Sequence, residues 1–389
     1  YCARSLARLV SEASPVDEGA GGSFTAQNPV KPVAIGDVAE EQPEWRGYRT
    51  TEVPPKTAAA PAGDAVDECD VAVIGAGVIG IAVALYLARR GRQVLLLEAG
   101  TANGEASGGN AGSLHLQLLP FDFRPDEPES PAAATLPLQR LGIQLWQTLE
   151  EQLGADFEMR IGGGLMLADS EADLEFLRQK AALEARFDVS TEVMSAAEVR
   201  SLLPGVAAQV AGGAYCGGEG KINPLLATPQ LLAAARRAGA VLRENTVVTS
   251  IEPDASGYRL QTDRGSVECL QVVNAAGGWA GEIASMLGAA LPLRPAPQQM
   301  LVTQAVDNCL PFLLSVTGRH LSMKQAANGN LIIGGGWPTG FDTVRGRCQP
   351  RRDSIAGNLW VARRVFPVVG RLQLIRSWGA VGVMIDGAP

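Results

Sequence analysis

The run Asp70-Val71-Ala72-Val73-Ile74-Gly75-Ala76-Gly77-Val78-Ile79-Gly80 sets three glycines at the spacing that suits one chemistry, the binding of a dinucleotide pyrophosphate. Gly75 permits a tight turn, Gly77 lets the backbone approach the phosphates, and Gly80 lets a helix lie close against a strand. Val78 and Ile79 would open that helix, whose first N–H groups lack partners and face the anion. Glu98, followed by Ala99, comes about twenty residues later, where a carboxylate accepts hydrogen bonds from a ribose diol. Behind it, Gly104-Glu105-Ala106-Ser107-Gly108-Gly109-Asn110-Ala111-Gly112-Ser113-Leu114-His115 is a run of small residues. Backbone of that kind can lie against a flat ring or a polyol chain that larger side chains would hold off; its other reading is a flexible surface loop. His115 is one of two histidines in the chain, suited either to orienting a reacting group or to a hydrogen-bonded place in the core.

To position these residues the chain needs a strand over 71–74, a helix over 79–90 and a second strand over 93–97. Residues 71–88 are uncharged and near the length of a membrane span. The glycines within the run, its β-rich start and the charged borders Asp70 and Arg89-Arg90 favour a buried strand joined to a buried helix. A second strand end of the same kind, Val272-Val273-Asn274-Ala275-Ala276-Gly277-Gly278-Trp279, precedes a helix over 280–287. Two such ends at the carboxyl edge of one sheet could enclose one ligand.

With 389 residues, 46% of them hydrophobic and 19% charged, the chain can bury a large core in two domains. A net charge of −8 offers no basic face to nucleic acid or anionic lipid. Cys2, Cys69, Cys216, Cys269, Cys309 and Cys348 include no CxxC pair, so neither a zinc-ligand pattern nor a compact disulfide framework is read, and a reducing, cytoplasmic setting without a metal site is expected. The chain begins at Tyr1, shows no signal peptide and reads as a piece of something longer.

Residues 1–66 read as a short helical segment followed by a Pro/Ala/Gly-rich tether or extended arm. Further helices are expected over 138–153, from Ser170 onward, over 195–203, 225–238 and 352–366. In the one after Ser170, Leu174, Phe176, Leu177, Ala181 and Leu183 suggest one buried face. Strands are expected over 162–168, 241–242, 247–252, 258–262, 267–274, 298–304, 319–325 and 330–334. The fold class is α/β (α+β): a Rossmann-like dinucleotide-binding domain with an inserted substrate domain on a mixed or antiparallel sheet. The arm spans 1–66, the dinucleotide domain 67–134, 215–290 and 367–389, and the substrate domain 135–214 and 291–366.

The fingerprint, Glu98, Ala106-Ser107-Gly108-Gly109-Asn110-Ala111-Gly112, Ala275-Ala276-Gly277-Gly278-Trp279 and Asp386-Gly387-Ala388-Pro389 together resemble the D-amino-acid oxidase, glycine oxidase and sarcosine oxidase superfamily. More narrowly, Asn110-Ala111-Gly112-Ser113-Leu114-His115, Glu219-Gly220-Lys221-Ile222-Asn223-Pro224 and Gly334-Gly335-Gly336-Trp337-Pro338 resemble the flavoprotein subunits of hydrogen cyanide synthase and opine oxidase. The resemblance implies FAD as the dinucleotide and oxidation of a carbon bearing an amine. It implies that Gly75, Gly77 and Gly80 hold the pyrophosphate and Glu98 the ribose. Ser107, Asn110, Ala111 and Gly112 would line the pyrophosphate, ribityl and ring region, Val248 would meet the adenine through its backbone, and Ala275, Ala276 and Gly277 would close the other side. Tyr1-Cys2-Ala3-Arg4 and Asn28-Pro29-Val30-Lys31-Pro32-Val33 resemble the end of a bacterioferritin-associated-ferredoxin-type [2Fe-2S] domain, with Cys2 a last cluster ligand stranded without its partners, so that the chain alone would hold no iron.

The sequence departs from the family pattern in two places. The stretch from Trp378 to Ile385 lacks the arginine that binds the substrate carboxylate in glycine oxidase relatives, leaving Arg319, Lys324 and Arg376 as candidates by position and His115, Lys324 and Arg319 as candidate catalytic groups. The family also continues past Asp-Gly-x-Pro into a loop that touches the flavin, whereas this sequence stops at Pro389, which sets cofactor retention in question. The expected function is FAD-dependent oxidation of the C–N bond of a small amino acid or opine-like secondary amine. Electrons would pass to other subunits of a flavin/iron–sulfur dehydrogenase complex, and association with a membrane surface through such partners is left open. The alternatives are a self-sufficient oxidase producing hydrogen peroxide and a non-catalytic FAD-binding subunit.

Overall fold

In the computed structural model, residues 33–34, 53–54, 56, 66–126 and 132–385 are described. The ferredoxin-like reading of the arm and the Asp386-Gly387-Ala388-Pro389 motif lie outside them, apart from a few arm residues.

Strands β2 (Val66–Ile74) and β3 (Val94–Leu97) pair in parallel, Val71 opposite Val94 and Ile74 opposite Leu97, with helix α1 (Val78–Ala88) as the crossover. The uncharged run is therefore strand plus helix, and no helix among the described residues is long and apolar enough to cross a membrane. β12 (Gly265–Asn274) lies parallel to β2 on the other side and β9 (Val241–Arg243) parallel to β3; β11 (Tyr258–Thr262) and β10 (Val248–Pro253) extend the sheet antiparallel. The order is β10-β11-β12-β2-β3-β9. Helix α6 (Pro224–Arg237) packs beside α1, where Ile81, Leu85 and Ala88 meet Ala227, Leu231 and Ala235 over Val71 and Val73. Asn223 starts α6 by accepting the Leu225 N–H, with Pro224 in the first turn. A short helix, α7 (Ala280–Ser285), follows β12.

The second sheet has nine strands, ordered β1-β19-β13-β16-β15-β14-β5-β7-β6. They are β1 (Val33–Ala34), β5 (Gly164–Ala168), β6 (Glu192–Ser195), β7 (Gly212–Cys216), β13 (Leu293–Ala305), β14 (Leu313–Val316), β15 (Ser322–Gln325), β16 (Asn330–Gly334) and β19 (Gln373–Ile385). All neighbours are antiparallel except β14 and β5, so the sheet is mixed. β17 (Gly340–Asp342) and β18 (Arg347–Gln349) form a separate antiparallel pair. Helix α8 (Arg352–Val365) buries Leu359, Val361, Ala362 and Val365 against Leu301, Met323, Leu331 and Ile333. β19 pairs with β13 from Leu293 opposite Ile385 to Thr303 opposite Leu374. Segment 367–389, grouped by sequence with the dinucleotide domain, thus contributes its strand to the nine-stranded sheet.

Helix α3 (Leu136–Leu153) ends at Gly154, α4 (Glu171–Ala185) is capped by Ser170, whose Oγ accepts the Asp173 N–H, and α5 (Ala196–Leu202) starts in a Ser195/Glu198 capping box. α4 buries Leu174, Leu177 and Leu183 as its spacing predicts, but it also buries Lys180 and Glu184, which pair at 2.6 Å. The small-residue run that could have been a flexible loop holds a short helix, α2 (Ala106–Gly109), then β4 (Ser113–Leu114), paired with β8 (Gly220–Lys221).

Candidate active site

The glycine turn is shaped by backbone contacts on both sides. Gly75 has φ +103°, and a Cβ there would lie 2.4 Å from the Ala275 carbonyl oxygen; a Cβ on Gly80 would lie 1.9 Å from the Gly75 oxygen. Gly77 precedes α1 without capping it through a side chain, and the first turn of α1 carries no acidic residue. Val78 N–H donates to Ser107 Oγ at 2.9 Å, tying the helix start to α2, while Ile79 stands exposed beside it. An anion fits this N-terminus, where the partial positive charge of the helix is unopposed.

Glu98 stands at the end of β3. Its Oε2 accepts the Ala76 N–H and its Oε1 the Gly100 N–H, each at 2.8 Å, spanning Ala99. The carboxylate is held in place by the fingerprint turn and keeps lone pairs for a diol. Thr246 N–H donates to the Glu98 carbonyl at 2.8 Å, which brings Val248 to the same end of the sheet. On the other side Ala275 N–H donates to the Ile74 carbonyl, Ala276 follows under an Asn274 side-chain bond, and nothing lies within 4 Å of where a Gly277 Cβ would be. The two strand ends therefore meet, as their sequences suggested.

Asn110 closes α2: its Nδ2 donates to the carbonyls of Ala106 and Ser107, and its Oδ1 accepts the Gly112 N–H at 2.6 Å. Gly112 is jammed against the Ile222 carbonyl, and Trp378 Nε1–H donates to the Gly109 carbonyl at 2.8 Å. These contacts join residues 106–112 to β8, α6 and β19. Beyond them opens a cavity of about 470 Å³, lined among others by Asn110, Ala111, Arg160, Lys221, Lys324 and Trp378. The set of glycines, helix N-terminus and anchored acid fits a dinucleotide, and the cavity beside Ala111 has room for the reacting end of a ligand.

Among the candidate catalytic groups, Lys324 lines the cavity. It is 3% exposed, and its Nζ donates to Ser113 Oγ at 3.2 Å. Burial, and then the nearby Lys221, push its ammonium well below the usual lysine range. Arg319 is placed elsewhere: its Nε lies 3.4 Å from Asp169 Oδ2, which Arg364 also meets, and both guanidiniums flank the Trp360 ring. Those contacts make it a structural cation. Arg376 is exposed on β19. His320 stacks on Phe121 with ring centroids 4.0 Å apart, and burial pushes it down to about 4 against the opposing bond to the Gly335 carbonyl.

His115 does not line the cavity. Its Nδ1 lies 3.6 Å from Oε1 of the buried Glu219, which also accepts the Leu116 and Gln117 N–H groups at 2.8 and 2.9 Å. Gln117 continues to Lys180, and Lys180 to Glu184, which accepts from Leu118 N–H and Thr191. Sequence reasoning missed this network, because its members come from three separated stretches, 115–118, 180–191 and 219, that only the fold brings together. It holds the segment that leads away from Ser113. Burial raises the Glu219 carboxyl, but His115 and the two amides outweigh it and hold the group below its usual value of 4.5. A carboxyl so depressed adds stability above that value and loses it as pH falls through its folded pKa. Glu219→Gln is therefore expected to cost about 1–3 kcal/mol near neutral pH. Thermal denaturation across an acid-to-neutral series should show the two proteins converging below pH 4.5, the usual carboxyl value.

A family model described as FAD dependent oxidoreductase (DAO) matches residues 70–389. An opine oxidase subunit of Agrobacterium tumefaciens (strain Ach5) is 30% identical over 327 residues, covering 83% of this chain and 84% of that protein. Glycine oxidase of Geobacillus kaustophilus (strain HTA426) is 28% identical over 325 residues, covering 82% and 83%. The crystal structure of glycine oxidase from Geobacillus kaustophilus superposes with a TM-score of 0.75 at 26% identity, covering 83% of this chain and 85% of that one.

Proposed function

The chain belongs to the DAO family of FAD-dependent oxidoreductases, and from that premise we propose that it oxidises the C–N bond of a small amino acid or an opine-like secondary amine and delivers the electrons to a partner protein. The observation that carries the substrate reading is Lys324, a buried ammonium at the wall of the cavity beside residues 108–111. An ammonium has three N–H donors and, among the described residues, Ser113 takes one, which leaves donors for a carboxylate. FAD, when bound, supplies the hydride acceptor. Gly75, Gly77, Val78, Ile79 and Gly80 would hold its pyrophosphate, and Glu98, with Ala99, its ribose. Ser107, Asn110, Ala111 and Gly112 would lie along the ribityl chain and ring, Val248 at the adenine, and Ala275, Ala276 and Gly277 opposite. Within the cavity Lys324 orients the substrate by its carboxylate. The six-stranded sheet with α1 and α6 would form the cofactor domain and the nine-stranded sheet the substrate domain.

The partner reading draws on likeness to a protein named as one subunit of opine oxidase. Likeness to glycine oxidase favours a second reading, direct transfer to oxygen. Anaerobic mixing of the FAD-loaded protein with glycine, sarcosine, D-amino acids and opines should bleach the flavin with at least one of them. Admitting air should then restore it slowly and without stoichiometric peroxide. Fast reoxidation with peroxide would select the oxidase, and no bleaching by any amine would overturn both.

A further inference from the structure

Five cysteines lie among the described residues, and two of them are neighbours that no sequence motif announces. Cys69 on β2 stands directly opposite Cys269 on the parallel strand β12. Neighbouring strands lie about 4.7–4.9 Å apart, within the Cα separation of about 4.4–6.8 Å that a disulfide accepts. Register alone does not bring two sulfurs together; both side chains must also leave the same face of the sheet. Asp70 and Val71 N–H both donate to the Gln93 carbonyl, at 3.0 and 3.1 Å, so β2 carries an extra residue there and its alternation slips by one. Cys69 therefore packs with Ala72 and Ile74, on the side where Cys269 is buried with Val267. The two thiols share a hydrogen bond. That bond holds the Cys269 thiol below its usual 9.0 against its burial, because an S–H beside a thiolate stabilises it. The other described cysteines are placed differently: burial pushes Cys216 up to about 11 and Cys348 up to about 12, and it raises Cys309. Cys269 is 5% exposed and Cys69 only half-buried, so a small oxidant meets the pair at Cys69.

We propose that Cys69 and Cys269 form a modification site, a dithiol that a small hydroperoxide oxidises to a disulfide between β2 and β12 and that a low-molecular-weight thiol restores. The thiolate of the pair attacks one peroxide oxygen, the O–O bond breaks, and the departing hydroxide takes a proton from solvent, leaving a sulfenic acid. The second sulfur then displaces that hydroxyl as water. Two thiols thus give up two electrons and two protons, and one hydrogen peroxide becomes two waters. A disulfide draws its Cβ atoms to about 3.5–4.5 Å, closer than the strand spacing, so this bond forms under strain and is readily reduced. The site does not depend on the amine-oxidising reading above, and added peroxide tests it without turnover. The FAD-loaded chain is exposed to graded hydrogen peroxide, its remaining thiols are alkylated, and it is digested without reductant for mass spectrometry. A linked peptide containing Cys69 and Cys269, two hydrogens lighter than its reduced parts, should appear at a peroxide dose about tenfold below that which oxidises Cys216, Cys309 or Cys348. Dithiothreitol should return both thiols. In urea, where the strands no longer hold the pair, the selectivity should vanish. Cys269→Ser should abolish the link, and the comparison within the unaltered protein stands even where that variant fails to fold. Independent oxidation of the two cysteines, sulfinic acid without a linked peptide, or a link formed no more readily than the other cysteines react overturns the site. A linked peptide that forms equally well in urea also overturns it, as a product of the unfolded chain.

Discussion

Gly80→Ala is expected to destabilise the protein by about 2 kcal/mol and to weaken FAD binding ~10- to 100-fold, whereas the same change at Gly142 should stabilise it by about 0.5–1 kcal/mol. Both glycines lie inside helices, α1 and α3. Alanine gains up to about 1 kcal/mol over glycine in a helix through lower backbone entropy. At Gly142 nothing lies within 4 Å of the added methyl, so the gain is kept. At Gly80 the methyl would sit 1.9 Å from the Gly75 carbonyl oxygen and 3.4 Å from Ala275 Cβ. Backbone oxygen cannot swing away as a side chain can, so α1 must separate from the turn. Overpacking of that kind costs about 1–3 kcal/mol and exceeds the helix gain. The separation also moves the helix N–H groups from the anion, and charge-assisted hydrogen bonds of about 1.5–3 kcal/mol each set the expected affinity loss. Thermal melts and FAD titration by fluorescence quenching measure the two effects. A Gly80→Ala protein at least as stable as the parent would remove the packing role assigned to that glycine.

Much of this unit is legible in sequence because its parts are close together in the chain. Strand, Gly75, Gly77, Gly80, helix and Glu98 lie within thirty residues, about the length of one βαβ unit, so periodicity and turn chemistry act on neighbours. The same holds for the Ser170 cap, the Ser195 box and the Asn223 start of α6. The substrate side is different. Lys324 reaches Ser113 across 211 positions, and Gln117 reaches Glu219 across 102. Arg160 and Lys221 become neighbours only when β8 inserts between two distant segments. A pattern reader sees Lys180 and Glu184 as solvated members of a polar helix face, yet both are fully buried because Gln117, Leu118 and Thr191 complete their bonding. Arg319, read by position as a carboxylate ligand, is claimed by Asp169, a residue 150 positions away. Local chemistry reveals where a dinucleotide sits; the partners of a buried charge are decided by pairing of remote strands.

Lys324→Met separates a structural lysine from one kept for binding, because the two roles predict opposite signs. A lysine that serves the fold lowers stability when lost. Among the described residues Lys324 is buried with one hydroxyl partner and no carboxylate, and burial and Lys221 depress its ammonium well below the usual 10.5. A folded state that binds the proton more weakly than the unfolded chain loses stability as pH falls below the usual lysine value, since unfolding then takes up a proton. Methionine, of similar length and uncharged, removes that penalty. The variant without substrate should therefore melt higher than the parent, and the gap should widen as pH is lowered from alkaline toward neutral. Its catalysis should move the other way. Losing a charge-assisted bond to the substrate carboxylate is worth about 1.5–3 kcal/mol, or roughly a 10- to 150-fold fall in kcat/KM for flavin reduction. The fall should appear with carboxylate-bearing amines and shrink with simple amines that carry no carboxylate. A lower melting temperature with unchanged kcat/KM would return Lys324 to a structural role and leave the substrate carboxylate without its assigned partner.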